Sequence, residues 1–178
     1  LHKVVNSFTD ENAGNLVRVD LKLYQDDIKA FYAAVKKQGA EAIDGTDFRF
    51  DIDKLAINPV MKNIESKISN PSAKERFVNY ASRISHASND RTFSGLLELR
   101  AAVNDFKYSK VLSTPDIEAL NQVLNKIDST VSKAVREYIP NSKQWSANFS
   151  KAKSEYSKMK VMQENTLFRL VTRPGITE

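Results

Sequence analysis

The sequence predicts an all-α protein, an elongated helical bundle that ends in a long antiparallel α-hairpin. Three observations point there. One heptad run holds Ile117, Leu120, Leu124, Ile127, Val131, Ala134 and Tyr138. A second holds Trp145, Phe149, Ala152, Tyr156, Met159, Gln163, Thr166 and Leu170. Both step alternately by three and four, which draws an apolar stripe down one side of a helix. Pro140 separates the runs, and a short helix–helix connection favours antiparallel neighbours. Finally, only five Gly and five Pro argue against an all-β chain, which needs turn residues at short intervals. The expected organisation is a helical bundle region over 1–112 and the hairpin over 113–178.

Composition bounds the functional classes. Apolar residues make up 41%, enough for a core. A mean hydropathy of -0.46 fits helix surfaces that face water. No apolar run approaches the roughly 20 residues of a membrane span. The absence of cysteine excludes disulfides, thiolate metal sites and a Cys nucleophile. A net charge of +5 suits anionic partners such as nucleic acid or a lipid surface. Lysines that merely solvate helices are the preferred reading, because the basic residues form no single dense block. The chain opens on Leu1 rather than Met and stops at Glu178, so we expect a piece of a longer protein.

The elements follow in order. A first helix starts near Thr9, with Asp10 and Glu11 favouring the positive end of its dipole. Val17, Leu21, Tyr24, Ile28, Phe31 and Val35 form its stripe. Val17, Val19, Leu21 and Leu23 alternate with charged residues as a strand would, but the helical stripe runs three turns further. Gly39 is expected to cap its end. Asp44-Gly45-Thr46-Asp47 is a turn. Phe48, Phe50 and Ile52 then lie extended. Asn58-Pro59 interrupts or begins the next helix, which carries Val60, Ile64 and Ile68.

Asn70-Pro71 starts another helix, Asn as cap and Pro at its first position, with Phe77, Tyr80, Ala81 and Ile84 as its buried face. Ser88-Asn89-Asp90 reads as a loop. Thr92 caps a helix bearing Phe93, Leu96, Leu97, Leu99, Ala102, Val103 and Phe106. Thr114-Pro115-Asp116 repeats the cap-plus-proline start and launches the hairpin. At a rise of ~1.5 Å per residue, arms of about 25 residues reach close to 40 Å.

No catalytic spacing stands out, so no catalytic, cofactor or metal residue is expected. His2 and His86 lack metal-ligand spacing, and His86 suits the negative end of a helix dipole. Asp44, Asp47, Asp51 and Asp53 could share a hard cation, but the glycine and distal Glu of a calcium loop are missing. A solvated turn with a helix-starting Asp is the better reading. Ser94-Gly95 lacks the flanks of a nucleophile elbow. Glu75 and Glu98 sit on amphipathic helices, where an exposed face explains them. Lys151, Lys153, Lys158 and Lys160 crowd one decapeptide, and Lys133, Arg136 and Lys143 lie on or near the other arm. On one shared face these seven could neutralise phosphates or meet a partner. Trp145, Phe149 and Tyr156 suggest base stacking, but they fall on the heptad stripe, which favours burial.

The run Thr92-Phe93-Ser94-Gly95-Leu96-Leu97-Glu98-Leu99-Arg100-Ala101-Ala102-Val103-Asn104-Asp105 is followed by Ile127-Asp128 and Val131. Then come Trp145, Ala147-Asn148, Tyr156, Lys160, Glu164-Asn165 and Leu167. This order resembles helical segments of very large virion proteins of tailed bacteriophages, including internal or ejection proteins that enter the host with the genome. It covers residues 92–173, with a weaker echo through 25–70. Such proteins carry muralytic, polymerase or anti-restriction activities in other domains, and none of those motifs occurs here. The resemblance implies a non-catalytic connecting or interaction domain, located in the virion and assembled in or delivered to the host cytoplasm. Its expected partners are other virion segments, a second copy through the hairpin, or DNA. A nucleic-acid-binding module using the Lys-rich face is the alternative.

Overall fold

A computed structural model describes the backbone of residues 10–164 and the side chains of residues 20–163. The described residues are all-helical, with seven helices and no strand. These are α1 (Asp10–Ile43), α2 (Ile52–Leu55), α3 (Ile57–Ser66), α4 (Pro71–Asn89), α5 (Phe93–Lys107), α6 (Thr114–Tyr138) and α7 (Ser142–Glu164). Thr9, His2, Thr166, Leu170 and the side chains of Val17 and Val19 lie outside the described residues, as do Asn165 and Leu167.

The contacts divide the chain into two compact units. One is Lys36–Ser146, and the other joins Leu1–Val35 with Ala147–Glu178. The expected boundary at 112/113 falls inside the first of these, because α6 packs along α5.

In the unit Lys36–Ser146 the core gathers around α5. Phe93, Leu96, Leu97, Leu99, Ala102, Val103 and Phe106 are all buried, as the periodicity predicts. Phe106 meets Phe77 at 5.8 Å and Tyr80 at 5.2 Å, so α4 lies on the outer turn of α5. Such ring pairs add about 0.5–1.5 kcal/mol beyond their area. Of the face expected on α4, Phe77 and Ile84 are buried, while Tyr80 and Ala81 are half-buried. On α6, Leu120, Leu124, Ile127, Val131 and Ala134 are buried, and Val123 and Val135 widen the stripe.

Caps fix the ends. Asn70 Oδ1 accepts from the N–H groups of Ser72 and Ala73 at 2.9 and 3.3 Å. Thr92 Oγ1 accepts from Gly95 N–H. Four expectations need correction. Ser113, not Thr114, caps α6 by accepting from Asp116 N–H, one residue ahead of the proline signal. Helix α4 runs through Ser88 and Asn89, which leaves only Asp90 and Arg91 before Thr92. Ile52 is helical rather than extended, while Phe50 lies in the non-helical connection and donates its N–H to Arg91 O at 3.0 Å.

The fourth concerns Gly39. Helix α1 continues through it to Ile43, and no described glycine has positive φ. The missing side chain serves packing instead. A Cβ there would lie 2.8 Å from both Phe93 Cε1 and Trp145 Cζ2. Those two rings meet edge to face at 5.9 Å. Continuing the helix also delivers Ile43, which is fully buried.

Asn58-Pro59 begins a helix, the second of its two expected roles. Pro59 sits in the first turn of α3, and the chain turns at Ala56, whose φ of 55° and ψ of 32° are left-handed. Ala56 therefore ends α2 and precedes α3 in a conformation that favours glycine.

The second unit pairs the N-terminal part of α1 with the later part of α7. Tyr32 meets Phe149 at 6.1 Å and Tyr156 at 5.4 Å. Ile28, Tyr32, Val35, Phe149, Ala152 and Met159 are buried. The α7 stripe thus shares its burial with α1, a partner that periodicity alone cannot name.

Candidate functional site: the basic and polar surfaces

The seven basic residues of the expected face fall into two groups. Lys133, Arg136 and Lys143 belong to the unit Lys36–Ser146, and Lys151, Lys153, Lys158 and Lys160 to the other. On α6, Lys133 and Arg136 are exposed, about one turn apart, on the side away from Val131 and Ala134. Arg136 Nε donates to Ser132 O at 3.3 Å. Lys143 is exposed in the first turn of α7.

The decapeptide lysines do not share one face of their helix. Lys151 and Lys158 are seven residues apart and align, as do Lys153 and Lys160. The two pairs lie about 200° apart around the axis. Lys153 and Lys160 flank the aromatic stripe and are half-buried, whereas Lys151 and Lys158 are exposed.

Three of these four ammonium groups lie over aromatic rings. Lys153 Nζ is 4.7 Å from the Phe149 centroid, Lys160 Nζ 5.5 Å from Tyr156, and Lys151 Nζ 5.7 Å from Phe31 on α1. Each such contact contributes about 0.5–1 kcal/mol at an exposed site.

The acidic residues serve chain turns. Asp44 accepts from Ser94 through both N–H, at 2.9 Å, and hydroxyl, which ties the end of α1 to the start of α5. Asp51 caps α2 by accepting from Asp53 N–H. Asp90 accepts from Thr92 N–H at 3.0 Å and Thr92 Oγ1 at 2.6 Å, and these bonds hold its pKa below the ordinary value. Among the described residues no group of three or more His, Asp or Glu is placed to hold a metal ion. His86 is exposed in the last turn of α4 and lines a recess with Arg83, Asp90, Gly95 and Glu98.

Three ion pairs escaped sequence reasoning. Arg100, almost fully buried in α5, donates from Nε to Asp128 Oδ1 at 2.7 Å. Lys67 meets Asp116 at 2.9 Å, and Arg83 meets Asp105 at 2.6 Å. Burial pushes the Asp116 carboxyl up, but hydrogen bonds from Lys67 and Ser113 outweigh it, and the net pKa is lowered. The available signal was a charge inside an apolar run, Arg100 between Leu99 and Ala102. Its partner, in another helix, leaves no local trace.

Compared with known protein families, curated proteins and solved structures, the chain matches none.

Proposed function

We propose that this chain is a non-catalytic structural and interaction domain of a large phage virion protein, one that is ejected into the host with the genome. The observation that carries the structural part is the use of the α7 aromatics and lysines. Phe149 and Tyr156 pack on Tyr32, and Lys153 and Lys160 cover those same rings. A base-stacking platform needs its aromatic faces open to nucleotides. Here they are engaged in holding two helices together.

The virion assignment rests on the resemblance over residues 92–173. In this reading α6 and α7 form a long antiparallel hairpin, available to other virion segments or to a second copy. The sequence-adjacent packing of α4 on α5 and of α5 on α6 favours fast refolding of that part of the chain, which suits passage through a narrow tail. Mass spectrometry of purified particles from the source tests the assignment. Peptides of this chain in intact particles are expected, and their absence from particles that contain the other structural proteins overturns it.

A second reading is a nucleic-acid-binding module. The exposure of Lys133, Arg136, Lys143, Lys151 and Lys158 favours it. It predicts affinity for DNA that falls steeply with salt.

A further inference from the structure

A recess of about 240 Å³ opens between α3, α4 and the Asp90–Arg91 connection, wholly within the unit Lys36–Ser146. Its apolar side is made by Ile57 and Ile84, both buried, with half-buried Met61. Its rim carries the neutral polar side chains of Asn58, Ser85 and Asn89. Arg91 is the sole ionisable group among the ten lining residues. We propose that this recess binds a small organic monoanion, a carboxylate with a short aliphatic tail.

Arg91 makes no ion pair among the described residues. Its guanidinium lies 5.6 Å from the Phe50 centroid, and its carbonyl accepts from Phe50 N–H at 3.0 Å. The carboxylates adjoining Arg91 and Phe50 in sequence are engaged elsewhere: Asp90 with Thr92, Asp51 with Asp53 N–H. Arg91 thus brings one positive charge to a recess with no acid among its lining residues. A planar guanidinium matches a carboxylate through two parallel hydrogen bonds.

The class of ligand follows from the remaining walls. A phosphate brings close to two negative charges to a site that supplies one cation. A free inorganic anion leaves the isoleucine and methionine wall unused, whereas a short alkyl tail covers it. The volume lies below the ~300–1,000 Å³ that drug-sized ligands occupy, so the tail is short.

The test is a titration of the full chain with hexanoate and, separately, hexanol, followed by amide chemical shifts. Hexanoate is expected to shift resonances around Ile57, Met61, Ile84 and Arg91, and to bind about tenfold or more tightly than hexanol. Arg91→Met should bring hexanoate down to the hexanol level and leave hexanol unchanged. Ser85→Trp, which fills the mouth, should weaken both. Three results overturn the proposal: hexanoate shifts scattered over surface lysines, no shifts at all, or equal binding of acid and alcohol. The acid-to-alcohol comparison needs no variant, so it decides even where Arg91→Met disturbs the fold.

Discussion

Replacing Gly95 by alanine separates packing from helix propensity by the sign of its effect. Gly95 lies in the first turn of α5, where intrinsic propensity alone predicts that Ala is better by about 1 kcal/mol. The structure predicts the reverse. A Cβ at this position would stand 1.8 Å from Asp90 O, 2.7 Å from Asp90 C and 2.8 Å from Asp90 Cβ. Two of those atoms are backbone, so no side-chain rotation relieves the contact. The Asp90–Arg91 segment would have to move, yet it is held at both ends. Asp90 accepts from Thr92, and Arg91 O accepts from Phe50 N–H. Moving it disturbs the Thr92 cap, worth about 0.5–2 kcal/mol. Overpacking adds about 1–3 kcal/mol. Set against the propensity gain, the net loss is about 0.5–4 kcal/mol, which lowers Tm by about 1–16 °C in a chain of this size. Thermal and urea unfolding followed by circular dichroism measure it. Gly45→Ala is the control: nothing lies within 4 Å and φ is not positive, so it should stabilise by about 0.4–1 kcal/mol. A neutral or stabilising Gly95→Ala refutes the packing of Asp90 over the start of α5.

Other perturbations probe separate features. Gly39→Ala drives a methyl into the Phe93–Trp145 pair and should cost about 1–3 kcal/mol, read as a lower urea midpoint with altered tryptophan fluorescence. Ala56→Gly removes left-handed strain of roughly 1–2 kcal/mol against a glycine entropy cost of about 0.5–1, so unfolding should show stabilisation by up to about 1.5 kcal/mol. Asp90 and Asp116 have folded pKa values below their ordinary 3.8, so the stability they contribute is present above that value. It is lost as pH falls through their lowered folded values. Asp116→Asn should flatten the acid limb of the stability–pH curve, and an unchanged limb would remove Asp116 from the explanation.

Much of the helical layout was legible because its causes are local. The apolar residues of α5 recur at helical spacing, and all seven predicted positions are buried. Asn70-Pro71 and Thr92 begin helices as their side-chain chemistry requires. What escaped the sequence depends on residues far apart. Gly39 has the composition of a cap, and only the approach of Phe93 and Trp145 reveals its use. The left-handed turn falls on Ala56, between the buried Leu55 and Ile57, where no glycine marks it in the sequence. A stripe of Trp145, Phe149 and Tyr156 shows that α7 buries one side. It does not show that Tyr32 is there to meet it. The crowding of lysines in 151–160 suggested one basic face, yet helical geometry sends two to each side, a distinction that angular bookkeeping on the sequence could have supplied.

The most direct test of the structural role of α7 is the salt dependence of binding to duplex DNA, for the natural chain and for a Lys151→Glu, Lys158→Glu variant. If the helix is scaffold, affinity is weak, the slope of log K against log salt is shallow, and charge reversal changes neither by more than a small amount. A steep slope that falls by about 1.8 on reversal, ~0.9 per lost phosphate contact, contradicts the scaffold role and makes the exposed lysines a nucleic-acid surface.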